Sequence, residues 1–113
     1  MITQLNPSDL SSWLEAAQSQ GQPVVLDVRE PSELRTASVT ADGFTLVTIP
    51  MNDIPGRLAE LDTAQPIACL CHHGARSQRV AQFLAQNGFD SVVNIAGGID
   101  AWSLQRDPAV PRY

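Results

Sequence analysis

Residues 66–88, PIACLCHHGARSQRVAQFLAQNG, join a short apolar run, a small loop and a longer amphipathic segment. The run at 67–70 is continuous and apolar, which predicts a strand buried on both faces. The segment at 76–88 has apolar residues at helical spacing and ends at Asn87-Gly88, as helices commonly do. The sequence therefore predicts a strand, a tight loop and a helix, an order in which a helix N-terminus is available to hold an anion.

Similar units lie on both sides of this stretch. Short apolar runs predict further strands at 3–5, 24–28, 45–49 and 91–95. Helical spacing and capping residues predict helices from about residue 7 to Gly21, from Asp53 to Leu61 and from about Ile99, with a helical turn at 31–33 and a loop at 36–44. Strands that alternate with helices favour an α/β fold with a mostly parallel sheet. Ligands of such sheets bind at the carboxyl ends of the strands, and Cys71 follows its strand at that end.

Length and charge narrow the class of protein. A chain of 113 residues is predicted to form one domain with a single core. The formal net charge of −5 argues against nucleic acid as a partner. No apolar run approaches the roughly 18 residues of a membrane span, and the first residues lack the basic and apolar regions of a signal peptide. We therefore expect neither a membrane partner nor export.

The two cysteines of the chain, Cys69 and Cys71, are two residues apart. We expect no disulfide between them, and two free thiols suit a reducing cytoplasm. Cys69 lies inside the apolar run, so it is predicted to be buried and inert and to point away from the loop. The two cysteines and the adjacent histidines lack the separated ligand pairs of a structural zinc site, so no metal site is expected.

The loop that begins at Cys71 concentrates positive and imidazole side chains. It and the first turn of the helix contain His72, His73, Arg76 and Arg79. No acidic residue occurs from 63 to 89, so this part of an acidic chain is locally positive. A glycine in the loop permits a sharp turn, and converging amides at a helix N-terminus stabilise a thiolate. Cys71 is therefore predicted to be a reactive thiolate.

Four motifs together resemble the single-domain rhodanese family, the thiosulfate sulfurtransferases, over nearly the whole chain. They are LDVREP at 26–31, IPM at 49–51, CHHGARS at 71–77 and GGIDAW at 97–102. The resemblance implies one rhodanese-like domain over residues 1–113, with about five strands in a mostly parallel sheet flanked by helices on both faces. Residues 36–48, TASVTADGFTLVT, depart from the Gly-His-Ile-x-Gly-Ala-like segment that the family usually places before its Ile-Pro pair.

The resemblance also implies roles for the loop. Cys71 is implied to be the nucleophile that accepts a sulfane sulfur from thiosulfate or a persulfide donor, and Arg76 to face that donor. The implied substrate-binding residues are His72, His73, Gly74, Ala75, Arg76 and Ser77. Cyanide, a small thiol or a partner protein is the implied acceptor, and this chemistry requires no metal or organic cofactor. The histidines are expected to line the mouth of the pocket. Asp27 and Arg29 are expected to be structural and to fix neighbouring loops.

Two alternatives follow from the same loop. Phosphatases of this fold place one residue more between cysteine and arginine than the four found here, His72 to Ala75, and a smaller loop suits a sulfur atom better than a phosphate. A persulfide carrier or sensing module that works only with a partner protein would have the same loop as a free-standing enzyme. Turnover with small substrates alone would distinguish a free-standing enzyme from a carrier that needs a partner protein.

Overall fold

A computed structural model describes all 113 residues of the chain. The strands are β1 (Thr3–Leu5), β2 (Val24–Asp27), β3 (Thr45–Thr48), β4 (Ile67–Leu70) and β5 (Val92–Ile95). The α-helices are α1 (Leu10–Ala17), α2 (Pro31–Thr36), α3 (Ala75–Gln86) and α4 (Gly98–Gln105). Short 3-10 helices cover Pro7–Asp9, Gln18–Gln20, Met51–Asp53 and Pro55–Glu60. No helix has both the length and the apolar character that crossing a membrane demands.

The five strands form one sheet in the order β1-β5-β4-β2-β3. Every neighbouring pair is parallel, so all five carboxyl ends lie along one edge of the sheet. This confirms the predicted α/β fold and its five-stranded sheet. Because β4 is the central strand, the loop that follows it at Cys71 opens in the middle of the edge where ligands of parallel sheets bind.

Two apolar cores cover the two faces of the sheet. Strand residues point alternately to either side. Val24, Leu26, Ile67 and Cys69 belong to the first core, and Val25, Ala68 and Leu70 belong to the second. Helix α3 closes the first core, whereas α1 and α4 close the second. The prediction of helices on both faces is therefore confirmed.

The helix expected from Asp53 to Leu61 is wrong as an α-helix. The segment instead forms the 3-10 helices Met51–Asp53 and Pro55–Glu60. Pro55 has no amide hydrogen to donate, and Arg57 has non-helical angles of φ −119° and ψ 16°. The apolar spacing correctly predicted that Ile54 faces the core, but it did not determine the type of helix.

Residues 36–48, which depart from the usual family segment, pack into the second core. Ala37, Val39 and Phe44 are all buried there. The ring of Phe44 meets the ring of Trp102 edge-on, with centroids 6.0 Å apart and planes 80° apart. The segment therefore anchors β3 to α4 through apolar contacts.

Candidate active site

Cys71 lies directly after β4, and its side chain is almost completely buried at 1% exposure. Its Sγ accepts a hydrogen bond of 3.0 Å from the amide of Gly74 and lies 3.2 Å from Oγ of Ser77. Gly74 has φ +106°, a conformation that favours glycine and turns the loop back toward the sulfur. Helix α3 begins at the next residue, so the positive end of its dipole faces the loop. The loop thus directs one amide at the sulfur and places one hydroxyl beside it.

A network of buried side chains holds Ser77 against this sulfur. Oγ of Ser77 lies 2.5 Å from Oδ1 of Asn94, and because a hydroxyl has one proton it donates to Asn94 or to Cys71, but not to both. The Asn94 amide donates to the carbonyl of Gly74 at 3.2 Å and to Oε1 of Gln4 at 2.9 Å. No sequence motif predicted a role for Asn94 or Gln4. The available signal was an amide side chain within the otherwise apolar strand β5.

The start of α4 supports the loop from the other side. The amide of Ile99 donates to the carbonyl of Cys71 at 2.8 Å, and the amide of Asp100 donates to that of His72 at 3.2 Å. Gly98 has φ +60°, and a Cβ at this position would clash with both carbonyl groups. The glycine at position 98 of the GGIDAW motif therefore allows the first turn of α4 to pack against the loop.

Arg76 is held by an acidic residue from another element. Its two terminal nitrogens donate to the two carboxylate oxygens of Glu33 at 2.7 and 2.8 Å, and the side chains are 31% and 18% exposed. The hydrogen bonds from Arg76 lower the pKa of Glu33 from 4.5 to about 2. No acidic residue is close to the loop in sequence, but α2 places the carboxylate of Glu33 against Arg76 in the folded chain. The loop is therefore less positive than its sequence predicts.

Asp27 and Arg29 form a fully buried ion pair. Nε and Nη2 of Arg29 donate to the two carboxylate oxygens of Asp27 at 2.9 and 2.7 Å. The remaining nitrogen, Nη1, donates to the carbonyl of Glu33 at 3.3 Å and to the hydroxyl of Tyr113 at 3.0 Å. The structural role predicted for the pair is confirmed, since it joins the end of β2 to α2 and to the C-terminal segment.

The histidines lie on the rim of the loop. The ring of His72 stacks on His73 with centroids 3.9 Å apart and on Tyr113, also at 3.9 Å. Nε2 of His72 lies 2.7 Å from a main-chain oxygen of Tyr113. Since that oxygen accepts, Nε2 carries the hydrogen. Of the predicted site residues, Gly74 and Ser77 reach the sulfur, whereas His72, His73, Ala75 and Arg76 form the rim.

Cys69 is buried, as predicted, but its predicted orientation is wrong. It belongs to the same core as Cys71, because residues two apart on a strand point to the same face. Burial raises the pKa of the Cys69 thiol, so this group stays protonated and inert. Both cysteines are free. Chemistry is therefore expected of Cys71 alone.

The sequence and the geometry agree with a known family. A family model described as the Rhodanese-like domain matches residues 10–105. The chain belongs to the rhodanese-like family. This family match confirms the resemblance inferred from the four motifs and makes the chain a member of a family of sulfurtransferases.

Relatives of this rhodanese-like chain include short proteins of matching length. The thiosulfate sulfurtransferase GlpE of Actinobacillus pleuropneumoniae is 40% identical and aligns with 99% of this chain and 96% of its own length. A sulfurtransferase of Allochromatium vinosum is 28% identical and aligns with 97% of this chain and 96% of its own length. The rhodanese-like/PpiC domain-containing protein 12 of Arabidopsis thaliana, which is chloroplastic, is 34% identical, but this chain spans 38% of its length.

Solved rhodanese-like structures have the same fold. A rhodanese-related protein from Thermoplasma volcanium has a TM-score of 0.77 at 31% identity, with 98% of this chain and 99% of that chain covered. A rhodanese-like domain protein from Staphylococcus aureus has a TM-score of 0.74 at 25% identity, with 99% of both chains covered. The rhodanese-like fold therefore extends over nearly the whole chain.

We expect Glu33→Gln to destabilise the protein in a pH-dependent way. The folded pKa of Glu33 lies near 2 against 4.5 for the free group, so its ion pair with Arg76 stabilises the fold above pH 4.5, and this contribution is lost as the pH falls toward 2. The loss at pH 7 should be about 1–2 kcal/mol in the free energy of unfolding, allowing for partial exposure. Urea unfolding of both proteins over pH 7 to 3 measures it.

The matched control is Glu60→Gln. Glu60 pairs with Arg57 at 2.8 Å, but both side chains are exposed, and solvent weakens such pairs. Its effect should be smaller than that of Glu33→Gln and barely change with pH. An equal difference between wild type and Glu33→Gln at every pH would contradict the electrostatic origin of the effect.

Proposed function

We propose that this protein transfers a sulfane sulfur from a donor such as thiosulfate to a thiophilic acceptor, through a persulfide on Cys71. The observation that carries the proposal is a buried sulfur at the end of the central strand, with the Gly74 amide directed at it and the Ser77 hydroxyl 3.2 Å away. Thiosulfate as the donor is supported by the name of the GlpE relative, at 40% identity over matching lengths. Residues 72–77 form the proposed donor site.

In the first proposed step, the Cys71 thiolate attacks the outer sulfur of thiosulfate. A new sulfur–sulfur bond forms, the original one breaks, and its electron pair leaves with sulfite. The product is a cysteine persulfide whose outer sulfur carries the negative charge. Donors that are already in place stabilise this charge without reorganisation, as in an oxyanion hole. The Gly74 amide supplies one such donor, and the Ser77 hydroxyl supplies a second when its proton turns from Asn94 to the sulfur.

In the second proposed step, an acceptor removes the sulfur. Cyanide, or the thiolate of a small thiol or of a partner protein, attacks the outer sulfur of the persulfide. The bond to Cys71 breaks, and its electron pair stays on Cys71 as a thiolate. With cyanide the product is thiocyanate. Both displacements are written with an anionic nucleophile, so neither step requires a general base.

The loop favours sulfur over phosphate as the group that is bound. A phosphatase would direct its loop arginine at a phosphate held above the cysteine. Here four residues separate Cys71 from Arg76, and both terminal nitrogens of Arg76 bind Glu33. The donors that remain near the sulfur are one amide and one hydroxyl, which suits a single additional sulfur atom.

Mass spectrometry after incubation with thiosulfate tests the proposal. We expect one added sulfur atom on the Cys71 peptide, followed by its loss and the appearance of thiocyanate when cyanide is added. No added sulfur on Cys71 would overturn the proposal. A stable persulfide that neither cyanide nor a small thiol discharges would favour the carrier that needs a partner protein. Hydrolysis of an aryl phosphate through Cys71 would favour a phosphatase.

We further propose a reducing compartment, such as the cytoplasm, as the working location. Both cysteines are free, so the fold does not depend on a disulfide. The proposed chemistry requires Cys71 to return to its reduced form after each transfer. A reducing environment is consistent with both features.

We expect Arg76→Ala to raise the KM for thiosulfate about 3- to 10-fold with a small change in kcat. Removal of the guanidinium leaves the Glu33 carboxylate uncompensated on the rim, where it repels a dianionic donor. Steady-state formation of thiocyanate over a range of thiosulfate concentrations measures the effect.

The double variant Glu33→Gln/Arg76→Ala is the control for this prediction. It removes both charges, so KM should return toward the wild-type value if the field at the rim is the cause. A KM that stays as high as in the single variant would show that Arg76 contacts thiosulfate directly. An unchanged KM in Arg76→Ala would contradict any role of this residue in donor binding.

A further inference from the structure

Tyr113 lies against the rim of the catalytic loop through both its ring and its hydroxyl. Its ring stacks on His72 with centroids 3.9 Å apart and planes 5° apart, and its main-chain oxygen accepts from Nε2 of the same histidine. Its hydroxyl lies 2.8 Å from Oε2 of Glu33 and 3.0 Å from Nη1 of Arg29. Since the arginine donates to it, the hydroxyl gives its own proton to Glu33.

These contacts join the two ends of the loop. His72 is the first residue after the cysteine, and Glu33 holds Arg76, which is the fifth residue after it. Tyr113 therefore bridges both sides of the rim. Cys71, next to His72 in the chain, is only 1% exposed, and it lines none of the cavities of the structure.

The segment that carries Tyr113 is docked on α4. Ser103 donates to the carbonyl of Val110 at 2.7 Å, and Val110 itself is buried in the second core. Arg112 donates to Asp100 at 2.8 Å, in the first turn of α4. Partial burial raises the pKa of Tyr113, so its hydroxyl stays protonated and keeps its hydrogen bond to Glu33 at neutral pH.

We propose that Tyr113 is a size filter that determines which acceptors reach the sulfur of Cys71. The filter admits a small acceptor such as cyanide and excludes a bulky thiol unless the ring leaves His72. This inference rests on the proposed sulfurtransferase function for its biological meaning. Access to Cys71, however, is a property of the structure that is measurable without sulfur transfer.

The first experiment compares alkylation of Cys71 by iodoacetamide and by a maleimide-linked polyethylene glycol in wild type, Tyr113→Ala and Tyr113→Phe. Loss of the stacking and hydrogen-bonding contacts, on the order of 1–2 kcal/mol, should raise the ratio of bulky to small labelling about 5- to 30-fold in Tyr113→Ala. Tyr113→Phe keeps the stacked ring and should change less. Because no lysine or arginine lies between Cys69 and Cys71, fragmentation of the labelled peptide by tandem mass spectrometry assigns the label to one of them. Leu104→Ala truncates an exposed side chain of α4 and is the matched control, with an unchanged ratio.

The second experiment measures kcat/KM for cyanide and for glutathione as acceptors. The preference for cyanide should fall in Tyr113→Ala by a factor similar to the labelling ratio. An unchanged labelling ratio in Tyr113→Ala would overturn the filter, whatever the activity. If wild type forms no persulfide with thiosulfate, the proposed function fails, and the labelling ratio still tests the filter independently.

Discussion

Replacement of Cys71 by serine is expected to abolish sulfur transfer and leave the fold intact. A serine hydroxyl does not ionise near neutral pH and forms no persulfide, so the two-step route is lost. The fall in the rate of thiocyanate formation should be on the order of 10⁴-fold or more, as for other enzymes that lose their nucleophile. The hydroxyl is close in size to the thiol and still accepts from the Gly74 amide, so urea unfolding should show little change.

Cys69→Ala is the control for this substitution. Cys69 lies in the same core as Cys71, but it is fully buried and burial raises the pKa of its thiol. Its replacement should retain most of the transfer rate and cost about 1 kcal/mol of stability through the small space that is left. An equal loss of transfer in both variants would overturn the assignment of Cys71 as the sole nucleophile.

Gly98→Ala should strongly impair both stability and persulfide formation. A Cβ at this position meets the carbonyl groups of Cys71 and His72, and the backbone has φ +60°. Strain from positive φ and overpacking together should lower the free energy of unfolding by roughly 2–5 kcal/mol. To relieve the clash, the loop has to move away from α4, which displaces the Gly74 amide from the sulfur. Urea unfolding and the yield of persulfide after thiosulfate measure the two effects.

Gly88→Ala separates backbone strain from the clash. Gly88 also has a positive φ, +88°, but nothing lies within 4 Å of the position that its Cβ would take. This variant should lose about 1 kcal/mol of stability and keep full persulfide formation. If Gly88→Ala and Gly98→Ala behaved alike, the packing of α4 against the loop after Cys71 would not be what holds that loop in place.

Local patterns predicted most of the regular structure. The apolar run at 24–28 contains β2, and the run at 67–70 forms β4. A short buried run can pair all its backbone hydrogen-bonding groups with neighbouring strands of a sheet. The type of helix between Asp53 and Leu61 was not predictable in the same way. Its apolar spacing was correct, but Pro55 and the backbone at Arg57 favoured 3-10 geometry.

The candidate site was only partly visible in the chain. The sequence by itself determined that Cys71 follows a buried strand and precedes a helix, and parallel strands place such a residue where ligands bind. The hydrogen bond from Gly74 to the sulfur is local and follows from that arrangement. The sequence did not show that Asn94, on a neighbouring strand, competes with Cys71 for the proton of Ser77.

The tertiary structure alone decided the charge and the access of the site. Glu33 is 43 residues from Arg76 in sequence, and Tyr113 is 41 residues from His72. Glu33 and Arg76 meet because the segments that carry them follow the carboxyl ends of parallel strands, which share one edge of the sheet. Tyr113 reaches this edge because its segment docks on α4. The sequence alone therefore predicted a reactive cysteine in a positive loop, whereas the folded chain pairs the Arg76 charge with Glu33 and packs Tyr113 against His72.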